Sequence, residues 1–173
     1  MSQRWLVWAL LLGGCTCEGP RTAIPTYRAP RTRHAPTLDG RLDEATWRQA
    51  PRTEPFVRTR DGEPGAPRTT ARLTWDAEHL YVAFEVADDF VRSDFPPGTD
   101  PHLWEQDAVE LMLDPDGDGR SYFELQLSPT ERVFDTRYDR RRVPGPIGHA
   151  GWQSGVRGAT TVNGTPNDEG EDE

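Results

Sequence analysis

An acidic motif in the middle of the chain has the residue types of a calcium loop. Residues 114–119 read Asp-Pro-Asp-Gly-Asp-Gly, which places three aspartates at alternate positions. An EF-hand loop that starts at Asp114 needs a bidentate glutamate at its twelfth position, which is Leu125 in this chain. The motif therefore favours an acidic hairpin turn over an EF-hand site.

Paired carboxylates could carry out general acid and base chemistry, as in a glycosidase. Asp107 with Glu110, or Glu110 with Glu124, would be such pairs. Nothing in the sequence indicates a cleft around them, and pairs arise easily among 29 acidic residues. No Ser/His/Asp arrangement or phosphate-binding loop is visible, and the four histidines lack the spacing of metal ligands. We therefore predict that the protein is not an enzyme.

Alternation of apolar and polar residues predicts the strands that position these side chains. The predicted strands are 70–75, 80–87, 109–113, 122–127, 131–138 and 153–162. Tight turns are expected at 76–78 and 114–119. The only helical segment is a short turn at 43–50, with Asp43 as its N-cap and Trp47 as its buried anchor. One apolar face per strand implies an all-β fold of two antiparallel sheets packed face to face.

The second face of these strands is polar. Its side chains are those of Arg72, Glu85, Glu110, Glu124 and Gln126. If the strands are neighbours, these side chains form a polar strip across one sheet. The alternative is the ordinary solvent-facing surface that every such sheet has.

Composition limits the possible partners. The 173 residues carry a net charge of −9, which argues against nucleic acid because phosphate binding needs a basic surface. Hydrophobic residues make up 34%, with 16 glycines and 16 prolines, so one loop-rich domain is expected.

The first residues have the pattern of an export signal. Residues 1–14 combine an N-terminal arginine, a short apolar run and two glycines, and Cys15 follows them. This order resembles the bacterial lipobox, which implies lipid on Cys15 and a membrane anchor made by acyl chains. The protein is then expected in the bacterial cell envelope, facing the periplasm or the exterior. The role of Cys17 is not readable from the sequence.

The remaining chain divides by composition. Residues 15–35 are expected to form a flexible Pro/Arg-rich tether, residues 36–165 the folded domain, and residues 166–173 a disordered acidic tail.

Four stretches resemble the family 9 carbohydrate-binding modules and their wider relatives. Residues 38–47 read Leu-Asp-Gly-Arg-Leu-Asp-Glu-Ala-Thr-Trp, and residues 72–76 read Arg-Leu-Thr-Trp-Asp. Residues 80–86 read Leu-Tyr-Val-Ala-Phe-Glu-Val, and residues 104–111 read Trp-Glu-Gln-Asp-Ala-Val-Glu-Leu. The resemblance implies a jelly-roll-like β-sandwich that binds poly- or oligosaccharides, often beside glycoside hydrolases and often with structural calcium.

The resemblance also implies site residues. Trp104 would be one wall of an aromatic clamp on a sugar ring, and Glu110 would accept hydrogen bonds from sugar hydroxyls. The alternatives are a loop-packing tryptophan and an exposed or salt-bridged strand glutamate. The neighbouring candidates for sugar contact are Glu105, Gln106, Glu124 and Gln126.

Two departures bear on the ligand. Glu124 stands where the binding members are expected to place a sugar-gripping arginine. Relatives also continue into a Gly-Trp sequence and further strands, whereas this chain ends at Glu173, so the sandwich is expected to lack its C-terminal strands or to close differently.

The resemblance leaves two further ligands open. Calcium would be held by carboxylates from Asp88, Asp89, Asp107 and Asp114. Haem, which some related sandwiches bind, would use Met112 with His102 or His149. The expected function is carbohydrate binding without catalysis, with a structural or protein-interaction module, a haem protein and a glycoside hydrolase as alternatives.

Overall fold

The computed structural model describes residues 25–95, 102–149 and 151–168, and the regular structure in this part of the chain is nearly all β. Five strands form one two-stranded and one three-stranded antiparallel sheet, which confirms the predicted all-β sandwich. In chain order the strands are β1 (Arg68–Trp75), β2 (Leu80–Ala87), β3 (Val109–Leu113), β4 (Arg120–Leu127) and β5 (Val133–Arg140). The helical elements are α1 (Ala45–Gln49) and a 3-10 turn (Leu103–Glu105).

The two predicted turns are present, and in each an aspartate fixes the backbone. Asp76 Oδ1 accepts bonds from the amides of Glu78 and His79, at 2.8 Å each, between β1 and β2. The Tyr81 hydroxyl donates to the other carboxylate oxygen of Asp76. This bond and the two amides lower the pKa of Asp76 to about 2. Between β3 and β4, Asp114 accepts the amides of Gly117 and Gly119 in the same way.

Helix α1 confirms Trp47 as a buried anchor but not Asp43 as the N-cap. Trp47 is 5% exposed, and the helix ends before Ala50. The N-cap position belongs to Glu44, one residue later than predicted, and no side chain caps the helix. The carboxylate of Glu44 accepts the amide of Thr37 and makes no bond to the amides of the first helical turn.

The β1–β2 sheet buries residues on both of its faces, including the face that we predicted to be solvent-facing. Thr70, Thr74 and Ala83 are buried on that face, beneath the segment at residues 25–32 and helix α1. On the predicted core face Ala71 is 3% exposed, but Trp75, Leu80 and Val86 each keep more than two fifths of their surface exposed. Alternation identifies two faces but not how much of each face the rest of the chain covers. A threonine face can be buried when backbone carbonyls accept its hydroxyl bonds.

The segment before residue 36 contributes to this cover. The Tyr27 hydroxyl donates to the carbonyls of Pro51 and Leu73, and Thr32 pairs with the Trp75 carbonyl. The contacts of the domain therefore extend back to Tyr27, into the stretch that composition assigns to the tether. The predicted signal peptide at residues 1–14, Cys15 and Cys17 lie outside the described residues.

The predicted polar strip is divided between the two sheets. Arg72 and Glu85 lie on β1 and β2, where they pair with each other. Arg72 also donates to the carbonyls of Trp47 and Ala50 at 2.8 and 3.0 Å, so it anchors α1 to the sheet. The prediction of one continuous strip was wrong for Arg72 and Glu85 because the strands that carry them do not neighbour β3 and β4.

The predicted strand at 153–162 is absent from the described residues, and this segment is irregular. Side-chain bonds hold it in place of a strand ladder. The amide and hydroxyl of Ser154 both donate to Asp135, and Thr160 donates to the Pro129 carbonyl. A cavity of about 870 Å³ lies between the two sheets, bordered by this segment and by apolar side chains such as Val82, Phe84 and Leu127.

Among the described residues, no helix has both the length and the apolar character needed to cross a membrane.

Candidate functional site

One face of the three-stranded sheet collects the predicted sugar-contact residues of β3 and β4. In antiparallel sheets, residues opposite each other lie on the same face. Glu110, Gln126 and Phe134 form one cross-strand row, and Met112, Glu124 and Thr136 form the next. We call this surface the candidate face. Its members are Glu110, Met112, Tyr122, Glu124, Gln126, Phe134, Thr136 and Tyr138.

Trp104 stands at the β5 side of the candidate face. Its ring meets the ring of Phe134 edge-on, with centroids 5.3 Å apart and an interplanar angle of 81°. His102 stacks against the indole at 4.6 Å. The neighbouring Leu103 is fully buried and anchors the 3-10 turn, yet Trp104 itself remains 48% exposed. The indole is thus a positioned ring with accessible surface, and it is not a core tryptophan.

A single amide joins the two carboxylates of the candidate face. Gln126 Nε2 donates to Glu110 Oε2 at 2.9 Å and to Glu124 Oε1 at 2.6 Å. Gln126 is 3% exposed and Glu124 is 8% exposed, whereas Glu110 remains exposed to solvent. Desolvation and the nearby Glu124 charge raise the pKa of Glu110, and the Gln126 bond opposes this shift only in part. The face is therefore acidic and rich in acceptors.

The β5 side of the face is closed by the loop at residues 144–149. The Thr136 hydroxyl donates to the Ile147 carbonyl and the Tyr138 hydroxyl to the Pro146 carbonyl, both at 2.8 Å. Burial and the proximity of Glu124 raise the pKa of Tyr138 to about 12. Tyr138 therefore stays a neutral hydrogen-bond donor throughout the physiological range.

Two of the predicted sugar-contact residues, Gln106 and Glu105, make contacts within the protein. Gln106 bonds to the backbone and side chain of Asp94, and it thereby fixes the segment beside the 3-10 turn. Glu105 is exposed and lies 3.5 Å from the His102 ring nitrogen, outside the candidate face. Of the six predicted sugar-contact residues, the structure brings together Trp104, Glu110, Glu124 and Gln126.

The four predicted calcium ligands do not gather into one group. Asp107 accepts the amide of Arg92, and Asp88 accepts the amide of Phe90. Among the described residues, the one group of three acidic side chains that could share an ion is the turn that contains Asp114, completed by Asp116 and Asp118. These carboxylates are fully on the surface, and calcium binding stays a prediction.

The haem alternative stays a prediction, and its three candidate ligands lie as follows. Met112 is exposed on the candidate face. His149 bonds to Asp139 at 2.9 Å, and His102 stacks on Trp104.

Strand β5 supplies the site residues that the sequence analysis missed. Phe134, Thr136 and Tyr138 alternate along the predicted strand at 131–138, and all three are buried on the candidate face. Pairing that segment with β4 would have identified them, because every second residue then lies beside Gln126 and Glu124.

Replacing Glu110 with glutamine is expected to stabilise the fold at neutral pH. The raised pKa means that the folded state holds the Glu110 proton more tightly than the unfolded state does. The contribution of this group to stability is thus greatest below its ordinary pKa of 4.5 and is lost as the pH rises through the raised value. We expect the Tm of E110Q to exceed that of the unsubstituted chain by about 1–4 °C at pH 7 and to match it at pH 4.

Thermal unfolding followed by circular dichroism at both pH values measures this difference. E54Q removes the same charge from an exposed position and should show no such pH-dependent gain. A lower Tm for E110Q at pH 7 would contradict the prediction.

Comparisons with known proteins place the chain among carbohydrate-binding modules. A family model described as carbohydrate family 9 binding domain-like matches residues 38–166. Over 129 residues, or 73% of the chain, the protein is 33% identical to Exoglucanase XynX of Acetivibrio thermocellus. Over 116 residues, or 65% of the chain, it is 31% identical to Endo-1,4-beta-xylanase A of Thermotoga neapolitana.

The matched region spans only 10% of the length of each of these relatives. No solved structure matches the chain. The family model nevertheless covers most of the sequence and all five strands. The chain therefore belongs to the carbohydrate family 9 binding domain-like family.

Proposed function

We propose that the domain binds an oligo- or polysaccharide on the candidate face without cleaving it. The observation that carries the proposal is the exposed indole of Trp104, held on Phe134 at one end of the row that Gln126 and Glu110 complete. A pyranose has an apolar face that packs on an aromatic ring, and its hydroxyls need polar partners at its edge. This row offers an aromatic ring and polar side chains within the width of three strands, which is about 10 Å between the outer two.

The position of the two carboxylates favours binding over hydrolysis. A glycosidase needs one carboxyl as acid and the other as base or nucleophile at the scissile bond. Here Glu124 is nearly buried, and the same amide nitrogen of Gln126 bonds to both acids. This arrangement supports a polar contact surface.

Calorimetry of the purified chain with β-1,4-linked xylo- and gluco-oligosaccharides tests the proposal, since the relatives are named as a xylanase and an exoglucanase. Saturable binding is expected, and chromatography of the recovered sugar should show its length unchanged. A folded chain that binds no saccharide would overturn the proposal, and shortened products would replace it with hydrolysis.

We also propose that the domain is held at a membrane by lipid on Cys15, with the domain facing the periplasm or the exterior. The support is the order of residues 1–15, in which an arginine, an apolar run and two glycines precede the cysteine. Expression in a bacterium supplied with radiolabelled palmitate should label the protein. The label should be lost in C15S and kept in C17S, which changes the other cysteine. A labelled C15S variant would contradict the anchor.

A further inference from the structure

We infer that the candidate face selects a sugar bearing a free amino group, of the glucosamine type, over neutral sugars of the same length. The inference rests on the proposed saccharide binding and adds to it the chemical class of the ligand. It follows from the charges on the candidate face, from one buried atom without a hydrogen-bond partner, and from the position of the Trp104 and Phe134 rings.

The charge on the candidate face is uncompensated. None of the ion pairs among the described residues involves Glu110 or Glu124. The other members of the face are neutral, and His102, outside the face as defined, stacks on the indole of Trp104. Arg120 and Arg140 occur on the same side of β4 and β5, but a full row beyond the Tyr122–Tyr138 pair. Two neighbouring carboxylates thus share a partly dry surface with one amide between them.

A buried acceptor in this network has no donor. Gln126 gives its amide nitrogen to both carboxylates, which leaves its Oε1 atom without a hydrogen-bond partner. Buried polar atoms are nearly always paired, so this acceptor can take a hydrogen bond from a donor that reaches it from outside the protein. A ligand group that uses it must donate hydrogen bonds.

An ammonium group meets the needs of this site better than a hydroxyl. It has three donors and no acceptor, and the site offers Glu110, Glu124 and Gln126 Oε1 as acceptors. A hydroxyl can supply a hydrogen bond, but it leaves the two like charges uncompensated. Bonds between an ammonium and a carboxylate are about twice as strong as neutral ones. The surface that offers these acceptors also carries Trp104 and Phe134, which suit the ring of a sugar.

The test compares three trisaccharides by calorimetry with the full chain at pH 6 and about 150 mM salt, where non-specific attraction is screened. The β-1,4-linked glucosamine trimer is expected to bind at least about tenfold more tightly than its N-acetylated form and than the glucose trimer. E124Q should bring the affinities for the glucosamine and glucose trimers to within about twofold of each other, which is the loss of the preference. E110Q should also reduce the preference. Because Glu110 is exposed, this second variant tests the inference even if E124Q fails to fold. E54Q, with the same net charge, should leave it intact.

The possible failures are distinguishable. If none of the trimers binds, the proposed function itself fails. If the glucose trimer binds as tightly as the glucosamine trimer and W104A weakens it, saccharide binding stands and the inference about the amino group is overturned. A linear polyamine that binds as tightly as the glucosamine trimer would overturn it too. A titration with calcium chloride alone gives a further such outcome. If calcium bound to the unsubstituted chain and not to E124Q, the acid pair would hold a metal ion, and the inference would be overturned.

Discussion

Replacing Trp104 with alanine is expected to weaken saccharide binding by about ten- to a hundredfold and to leave the domain folded. Aromatic anchors of this kind account for about 2 kcal/mol or more of binding free energy when they carry an interface. The ring is half exposed, and its neighbour Leu103 holds the 3-10 turn from the interior. Loss of the indole therefore removes the apolar platform without opening the core.

Calorimetry against the best-binding oligosaccharide measures the affinity, and circular dichroism checks the fold. Trp75 provides a matched control, since its ring is 41% exposed but lies on β1, in the other sheet. W75A loses a bond to the Ala29 carbonyl and the stacked Arg31, so it should lower stability and leave affinity unchanged. Equal losses of affinity in the two variants would refute the assignment of Trp104 as platform.

The sequence predicts the strands of this protein well because alternation is a local property. The four strongest alternating segments and the segment at 131–138 all became strands, and both predicted turns formed around an aspartate side chain. Local alternation also placed Glu110, Glu124 and Gln126 on one face, since β3 and β4 are joined by one of those turns.

The sequence predicts less where the outcome depends on distant segments. The cover over the threonine face of β1 comes from residues more than 40 positions earlier, through the Tyr27 hydroxyl and the Pro30 carbonyl. The segment at 153–162 has a strand-like composition, but Asp135 holds it by side-chain bonds. Neither contact leaves a local pattern, so the buried face and the missing strand could not be read in advance.

The site was predictable to the extent that it lies on one hairpin. Trp104 and Glu110 were found through a short motif, and Glu124 and Gln126 through alternation. The closing side of the site depends on β5 and on a loop that returns over it, where Thr136 and Tyr138 donate to successive backbone carbonyls. Those bonds are determined by the path of the loop and not by the types of the residues in it.

Replacing Gly148 with alanine is expected to destabilise the fold strongly. Gly148 has a φ of +61°, and an added Cβ would lie 2.6 Å from both the Arg137 carbonyl oxygen and the Thr136 hydroxyl. The same Cβ would lie 3.2 Å from the ring of Tyr138. Both the backbone conformation and the contact are unfavourable, so we expect a cost of about 2–3 kcal/mol and a fall in Tm of roughly 5–10 °C.

Gly117, in the β3–β4 turn, separates the two contributions, because it has a φ of +71° but an added Cβ there would meet nothing within 4 Å. G117A should therefore cost only the backbone strain, about 1 kcal/mol, and should leave saccharide affinity unchanged. G148A should also weaken binding, because the displaced loop no longer holds Thr136 and Tyr138 beside Glu124. Thermal unfolding and calorimetry of the two variants measure both effects. If G148A were no less stable than G117A, the loop would not clamp β5, and the closed side of the candidate face would need another explanation.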